Sequence, residues 1–110
     1  MIDWDRALEL REEMGEDGFD EVIELFLTEV EEALDRLGDD AGNPAAMESA
    51  LHFLKGAALN LGFKGFAALC AKGESEASAG DVSAIETDGV RALYHASKTD
   101  FLTGLHARVA

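Results

Sequence analysis

The chain has 110 residues, room for one domain and little more. Hydrophobic residues make up 47% of it, enough for a packed core, while 23 acids against 9 bases leave a formal net charge of −14. A surface of that sign repels the phosphates of DNA, RNA and anionic lipid, which argues against nucleic-acid or membrane-surface partners.

Strand patterns are almost lacking: there is no sustained alternation, β-branched clusters are few, and there is one proline. The periodicity predicts five helices. The first runs from about Asp3 to Met14, with Asp3 as N-cap and Trp4, Ala7, Leu8 and Arg11 along one side. The pair Gly15 and Gly18 is expected to break it. The second runs from about Phe19 to Leu37. Its apolar residues, from Val22 and Ile23 to Leu34 and Leu37, recur at three- and four-residue spacing, and its other face is acidic. A polar loop, Gly38 to Asn43, follows.

Asn43-Pro44 starts the third helix, with Asn as N-cap and Pro in the first turn. It runs to about Asn60, with Met47, Leu51, Leu54, Ala58 and Leu61 as its core stripe, and Gly62 ends it. The fourth is expected from about Phe63 to Ala79, with Phe66, Leu69, Cys70 and Ala77 inward. Gly80 and Asp81 turn the chain. The fifth spans about Ser83 to Ala107, with Ile85, Leu93, Ala96, Leu102 and Leu105 as its apolar positions. Four long amphipathic helices with short connections bury their stripes against one another. The simplest arrangement is all-α: an antiparallel up-down four-helix bundle, flanked by the short first helix.

Cys70 is the only cysteine and sits among Phe66, Ala67 and Leu69. It reads as a buried packing thiol of a reducing compartment. With neither a basic-then-apolar leader nor an apolar run long enough for a bilayer, the sequence points to a cytoplasmic protein, expected to be monomeric.

Charge is unevenly placed. Residues 1–44 hold 16 acids and 3 bases, whereas no acid lies between Ser49 and Gly73, where Lys55, Lys64 and Lys72 stand. The acidic half fits an ordinary solvated face. The acid-free stretch is what a phosphate-handling site would require.

Within it lies Leu51-His52-Phe53-Leu54-Lys55-Gly56-Ala57-Ala58-Leu59-Asn60-Leu61-Gly62. On a helix, His52, Lys55, Gly56 and Leu59 share a face next to the core stripe, so the imidazole stands at the core edge within reach of solvent. Gly56 is unusual, because glycine inside a helix costs about 1 kcal/mol relative to alanine. Its lack of a side chain opens space one turn from the histidine. Lys55 supplies a cation at the same distance. Together they describe a nucleophilic nitrogen, a countercharge for an anion attached to it, and clearance for a donor. A neutral imidazole has one nitrogen lone pair free to attack phosphorus, provided the other nitrogen keeps its proton and is held. Glu74 on the fourth helix is the candidate to hold it.

The run His-Phe-Leu-Lys-Gly-Ala-Ala-Leu-Asn-Leu-Gly resembles the signature of histidine phosphotransfer (HPt) domains: His-x-Leu-Lys-Gly, then small residues and a helix-ending glycine. The likeness extends to Leu69-Cys70 and Glu74, and more loosely to Glu24-Leu25-Phe26-Leu27. It implies one HPt domain over residues 1–110, with His52 phosphorylated, Lys55 on the phosphoryl group and Gly56 permitting receiver docking. It also implies partners: the receiver domains of response regulators, and a hybrid histidine kinase. Gly73 departs from the family, which usually has an apolar residue there; the expected consequence is a looser fourth helix.

On this reading a receiver docks around His52, on Leu59, Phe63 and the first helix. Its phospho-aspartate, with the receiver's own Mg²⁺, lies in line with the imidazole. The chain needs no cofactor of its own. A histidine kinase would need an ATP-binding domain, and the glycines here are too scattered to form a phosphate loop. A di-iron bundle would need Glu-x-x-His pairs. Glu48 precedes His52 by four residues, and neither His95 nor His106 has a glutamate three before it. The competing reading is a helical module that binds receiver or kinase domains without carrying phosphate.

Overall fold

The computed structural model describes residues 2–109. Five α-helices follow one another: α1 Trp4–Met14, α2 Glu16–Asp39, α3 Pro44–Leu61, α4 Lys64–Ser78 and α5 Thr87–Val109. A 3₁₀ turn, Val82–Ala84, precedes α5, and no strand occurs among the described residues. Helix α2 packs on α3, α3 on α4, α4 on α5, and α5 back on α2, closing a ring. Their short connections reverse the chain each time, which gives the antiparallel bundle. Helix α1 lies outside the ring against α2 and α3.

The caps explain the boundaries. The Asp3 side chain accepts from the Arg6 amide at 3.2 Å, and the Asn43 side chain accepts from the Ala46 amide at 3.2 Å, so both expected N-caps are in place. Only Gly15 (φ 76°) separates α1 from α2. Gly18, expected to share in the break, lies inside α2, which begins at Glu16. The acids Glu16 and Asp17 suit that first turn.

Gly62 (φ 83°) ends α3 in the left-handed conformation. Its amide donates to the Leu59 carbonyl, and the Phe63 amide donates to the Ala58 carbonyl at 2.8 Å. That is the Schellman pattern, in which the residue after the glycine turns inward. The Asp3 amide also donates to the Gly62 carbonyl at 2.6 Å, and a Cβ on Gly62 would stand 2.5 Å from the Asp3 carbonyl oxygen. Glycine there lets α1 dock on the α3–α4 turn. Trp4 completes the docking by stacking on Phe101 of α5, with centroids 5.8 Å apart, under the Arg108 guanidinium.

One apolar core runs through all five helices. The stripe expected for α3 is buried, and that of α2 is buried except for the half-buried Val22 and Phe26; full burial of each large side chain contributes roughly 1.5–3 kcal/mol. Two expectations fail. Helix α1 turns Ala7 and Leu10 inward and leaves Leu8 exposed. Helix α5 starts four residues later than expected, and its core face is Val90, Tyr94, Ser97 and Phe101. Ile85, Leu93 and Leu105 are half-buried, while Ala96 and Leu102 are exposed. The two aromatic rings decide the phase of α5. Tyr94 packs against Phe63 and Phe66, and Phe101 packs against Phe63. The Tyr94 hydroxyl donates to Glu31 of α2 at 2.6 Å, and Lys98 meets the same oxygen at 2.7 Å. Burial, reinforced by the neighbouring Glu31 carboxylate, pushes the Tyr94 phenol far up.

Candidate functional site

The candidate site lies on the α3–α4 seam. Its backbone is set by Gly73, which is buried in the middle of α4. A Cβ there would stand 3.0 Å from Cδ1 of Leu51, itself fully buried on α3. Helix α4, where a looser stretch was expected, runs unbroken through Gly73. The missing side chain instead lets α4 lie close on α3, with Leu51 filling the gap. The residues after Leu51 and Gly73 are His52 and Glu74, and this close approach brings them together.

His52 is mostly exposed, with 70% of its side chain accessible. Its Nδ1 lies 2.7 Å from Oε2 of Glu74. With Nδ1 protonated, the ring donates to the carboxylate, and Nε2 is left unprotonated and directed away from that contact. The other carboxylate oxygen, Oε1, lies 2.6 Å from Nζ of Lys55. Glu74 thus bridges the histidine and the lysine. The Lys55 ammonium, then the hydrogen bond from His52, hold the Glu74 carboxyl below its usual range, so it stays ionised under mildly acidic conditions.

Gly56 faces open space: a Cβ built there meets nothing within 4 Å. Leu59, two turns beyond His52, is 54% exposed. His52, Lys55, Gly56 and Leu59 therefore form one accessible strip, as the spacing predicts. Phe63 does not belong to it. It is 1% exposed and packs on Tyr94 and Phe101, so it cannot serve a docking surface. Its place after the left-handed Gly62 turns it into the core. Phe53, not singled out from the sequence, is 41% exposed beside His52 and borders a groove toward Ala33 and Arg36 of α2. The signal for it was its position next to the histidine, off the core stripe.

The acid-free stretch needs a correction too. Its boundary residues return to the site in space. A groove of about 420 Å³ along the seam is lined by Lys55, Glu74 and Ser75, with Glu48 from the preceding turns of α3. A carboxylate therefore does stand at the site, on the Nδ1 side of the ring. Cys70 is a fully buried free thiol, pushed up to about 12 by burial and then by the Glu74 charge, as a packing residue should be.

The all-helical bundle thus presents an exposed histidine, held by a carboxylate at one nitrogen and flanked by a lysine. The chain matches the family model of the Hpt domain over residues 21–100, and it belongs to that family. Hpt domains act in histidine phosphotransfer within phosphorelays, as phosphocarriers that meet receiver domains and kinases. No curated protein and no solved structure matches the chain. Among the described residues, no helix is long and apolar enough to cross a membrane.

Proposed function

We propose that this chain shuttles a phosphoryl group between Nε2 of His52 and the aspartates of response-regulator receiver domains. The observation that supports this best is the pairing of His52 Nδ1 with Glu74 at 2.7 Å. It fixes the tautomer in which Nε2 carries the lone pair. It also fixes the ring plane, so an incoming phosphorus meets an aligned nucleophile. Glu74 is the orienting residue. Lys55 neutralises charge on the transferred group. Gly56 gives the donor clearance, and Leu59, with Phe53, offers apolar contact to the receiver.

The receiver brings the acyl phosphate and its own Mg²⁺, so the chain's part is positioning and charge compensation. It acts as a carrier without ATP chemistry of its own, in the cytoplasm where receivers work. The test is transfer of label from a panel of phosphorylated receivers, with ATP alone as control. Label is expected on the wild type from at least one receiver, none from ATP, and none on His52→Gln. Receiver binding with no label on the folded wild type would replace the carrier by a plain interaction module.

A further inference from the structure

A cavity of about 370 Å³ opens between α4, the Val82–Ala84 turn and the start of α5. Its size falls within the roughly 300–1,000 Å³ of cavities that hold small molecules. It shares no lining residue with the groove beside His52, so it is a separate place on the fold. Leu69 of α4, Ile85 and Val90 give it an apolar wall. Three charged side chains line it as well: Lys72 and Glu76, one turn apart on α4, and Glu86 just before α5.

Glu76 is the odd member. Its Oε2 is buried and has no hydrogen-bond partner among the described residues. Buried polar atoms of folded proteins nearly always have one, because an unpaired one has lost its water for nothing in return. Lys72, four residues earlier on the same helix, is the natural partner by spacing. No ion pair joins the two. A carboxylate only accepts hydrogen bonds, so whatever completes Glu76 must be a donor. Glu86 adds a second negative charge on the same cavity, and the net charge of −14 draws cations to the chain as a whole. Lys72 works against a second positive charge on the ligand. Leu69, Ile85 and Val90 ask for hydrocarbon.

We propose that this cavity is a binding site for a small primary amine that carries one ammonium group and an apolar body. The ammonium donates to Oε2 of Glu76, with Glu86 as the second countercharge. The hydrocarbon lies on Leu69, Ile85 and Val90. Charge-assisted hydrogen bonds are about twice as strong as neutral ones, so the charge of the head group, more than its shape, selects the ligand. The site is independent of the phosphoryl chemistry at His52.

The probe is phenethylamine, with 2-phenylethanol as its neutral counterpart of the same shape. Each is titrated into the full chain in about 0.15 M salt, which screens loose attraction to the acidic surface. Amide NMR shifts report the position and the affinity. Phenethylamine is expected to shift the Gly73, Gly89 and Val90 amides, with a dissociation constant on the order of 1 mM or below. The alcohol should bind about tenfold or more weakly, and Glu76→Gln should weaken the amine by a similar factor. Ala84→Trp alters an exposed lining residue and fills the cavity, so it should abolish binding in a chain that keeps its helical circular dichroism. Equal affinity for the alcohol would overturn the proposal, since the cavity would then be merely apolar. Undiminished amine binding by folded Glu76→Gln or by Ala84→Trp would overturn it too. So would no shift at the cavity, which would mean that water alone completes Glu76.

Discussion

Replacing Gly73 by leucine perturbs the site without touching any reacting group. The helix backbone at Gly73 is so close to α3 that even a Cβ would stand 3.0 Å from Leu51 Cδ1, about 0.5 Å inside ordinary carbon contact. Leucine adds three carbons beyond that, more than a small shift of the end of Leu51, 0% exposed, can accommodate. Overpacking of this kind costs about 1–3 kcal/mol, and replacing glycine in a helix returns up to about 1 kcal/mol. A net loss of about 1–2 kcal/mol should lower Tm by about 5–15 °C. Helix α4 must retreat, and a shift of about 1 Å stretches the 2.7 Å His52–Glu74 contact past hydrogen-bond length. Transfer should then fall by about tenfold to a hundredfold. Gly73→Ala is the control: its clash can be absorbed by the flexible end of Leu51, so stability should stay within about 1 kcal/mol and transfer should persist. Thermal unfolding and label transfer on the two variants decide the matter. Wild-type Tm and wild-type transfer in Gly73→Leu would refute the claim that this glycine sets the helix spacing and, through it, the site.

Further outcomes follow from the same geometry. Gly56→Leu should stabilise the chain by up to about 1 kcal/mol, because nothing lies within 4 Å, while transfer and receiver binding fall. Chemical denaturation and binding assays should therefore move in opposite directions. Tyr94→Phe removes the hydroxyl that joins α5 to Glu31 and should cost about 1–2 kcal/mol in urea unfolding, with transfer intact. Because the Glu74 carboxyl is held below its usual range, its contribution to the fold is present above the ordinary carboxylate pKa. It is lost only as pH falls through the depressed value, so the His52–Glu74 contact should survive acidification to about pH 5 in an NMR titration.

How much of this was legible in the sequence depended on how local the cause was. Helix α2 and the Asn43-Pro44 start of α3 could be read directly, because an unbroken apolar stripe and a cap with proline are local signals. Helix α5 could not be phased. Its buried face contains Ser97 and the hydroxyl-bearing Tyr94, whereas Leu102 looks like core and is exposed. The rings of Phe63 and Phe66, more than twenty residues earlier in the chain, settle that phase. The strip His52, Lys55, Gly56 and Leu59 followed from helical spacing alone. Phe63 was misplaced because the left-handed turn at Gly62 redirects the residue after it. The Lys55–Glu74 pair depends on how closely α4 lies on α3, and that distance comes from Gly73 against Leu51, a contact no single-helix pattern reveals.

The account stands or falls on where the phosphoryl group sits. Phosphorus NMR and peptide mapping of the chain, after loading from a phosphorylated receiver, test this most directly. The expected result is an acid-labile, base-stable phosphoramidate on Nε2 of His52, absent from His52→Gln although that variant keeps its helical circular dichroism. A phosphoryl group on Nδ1, on another residue, or still present on His52→Gln would contradict it.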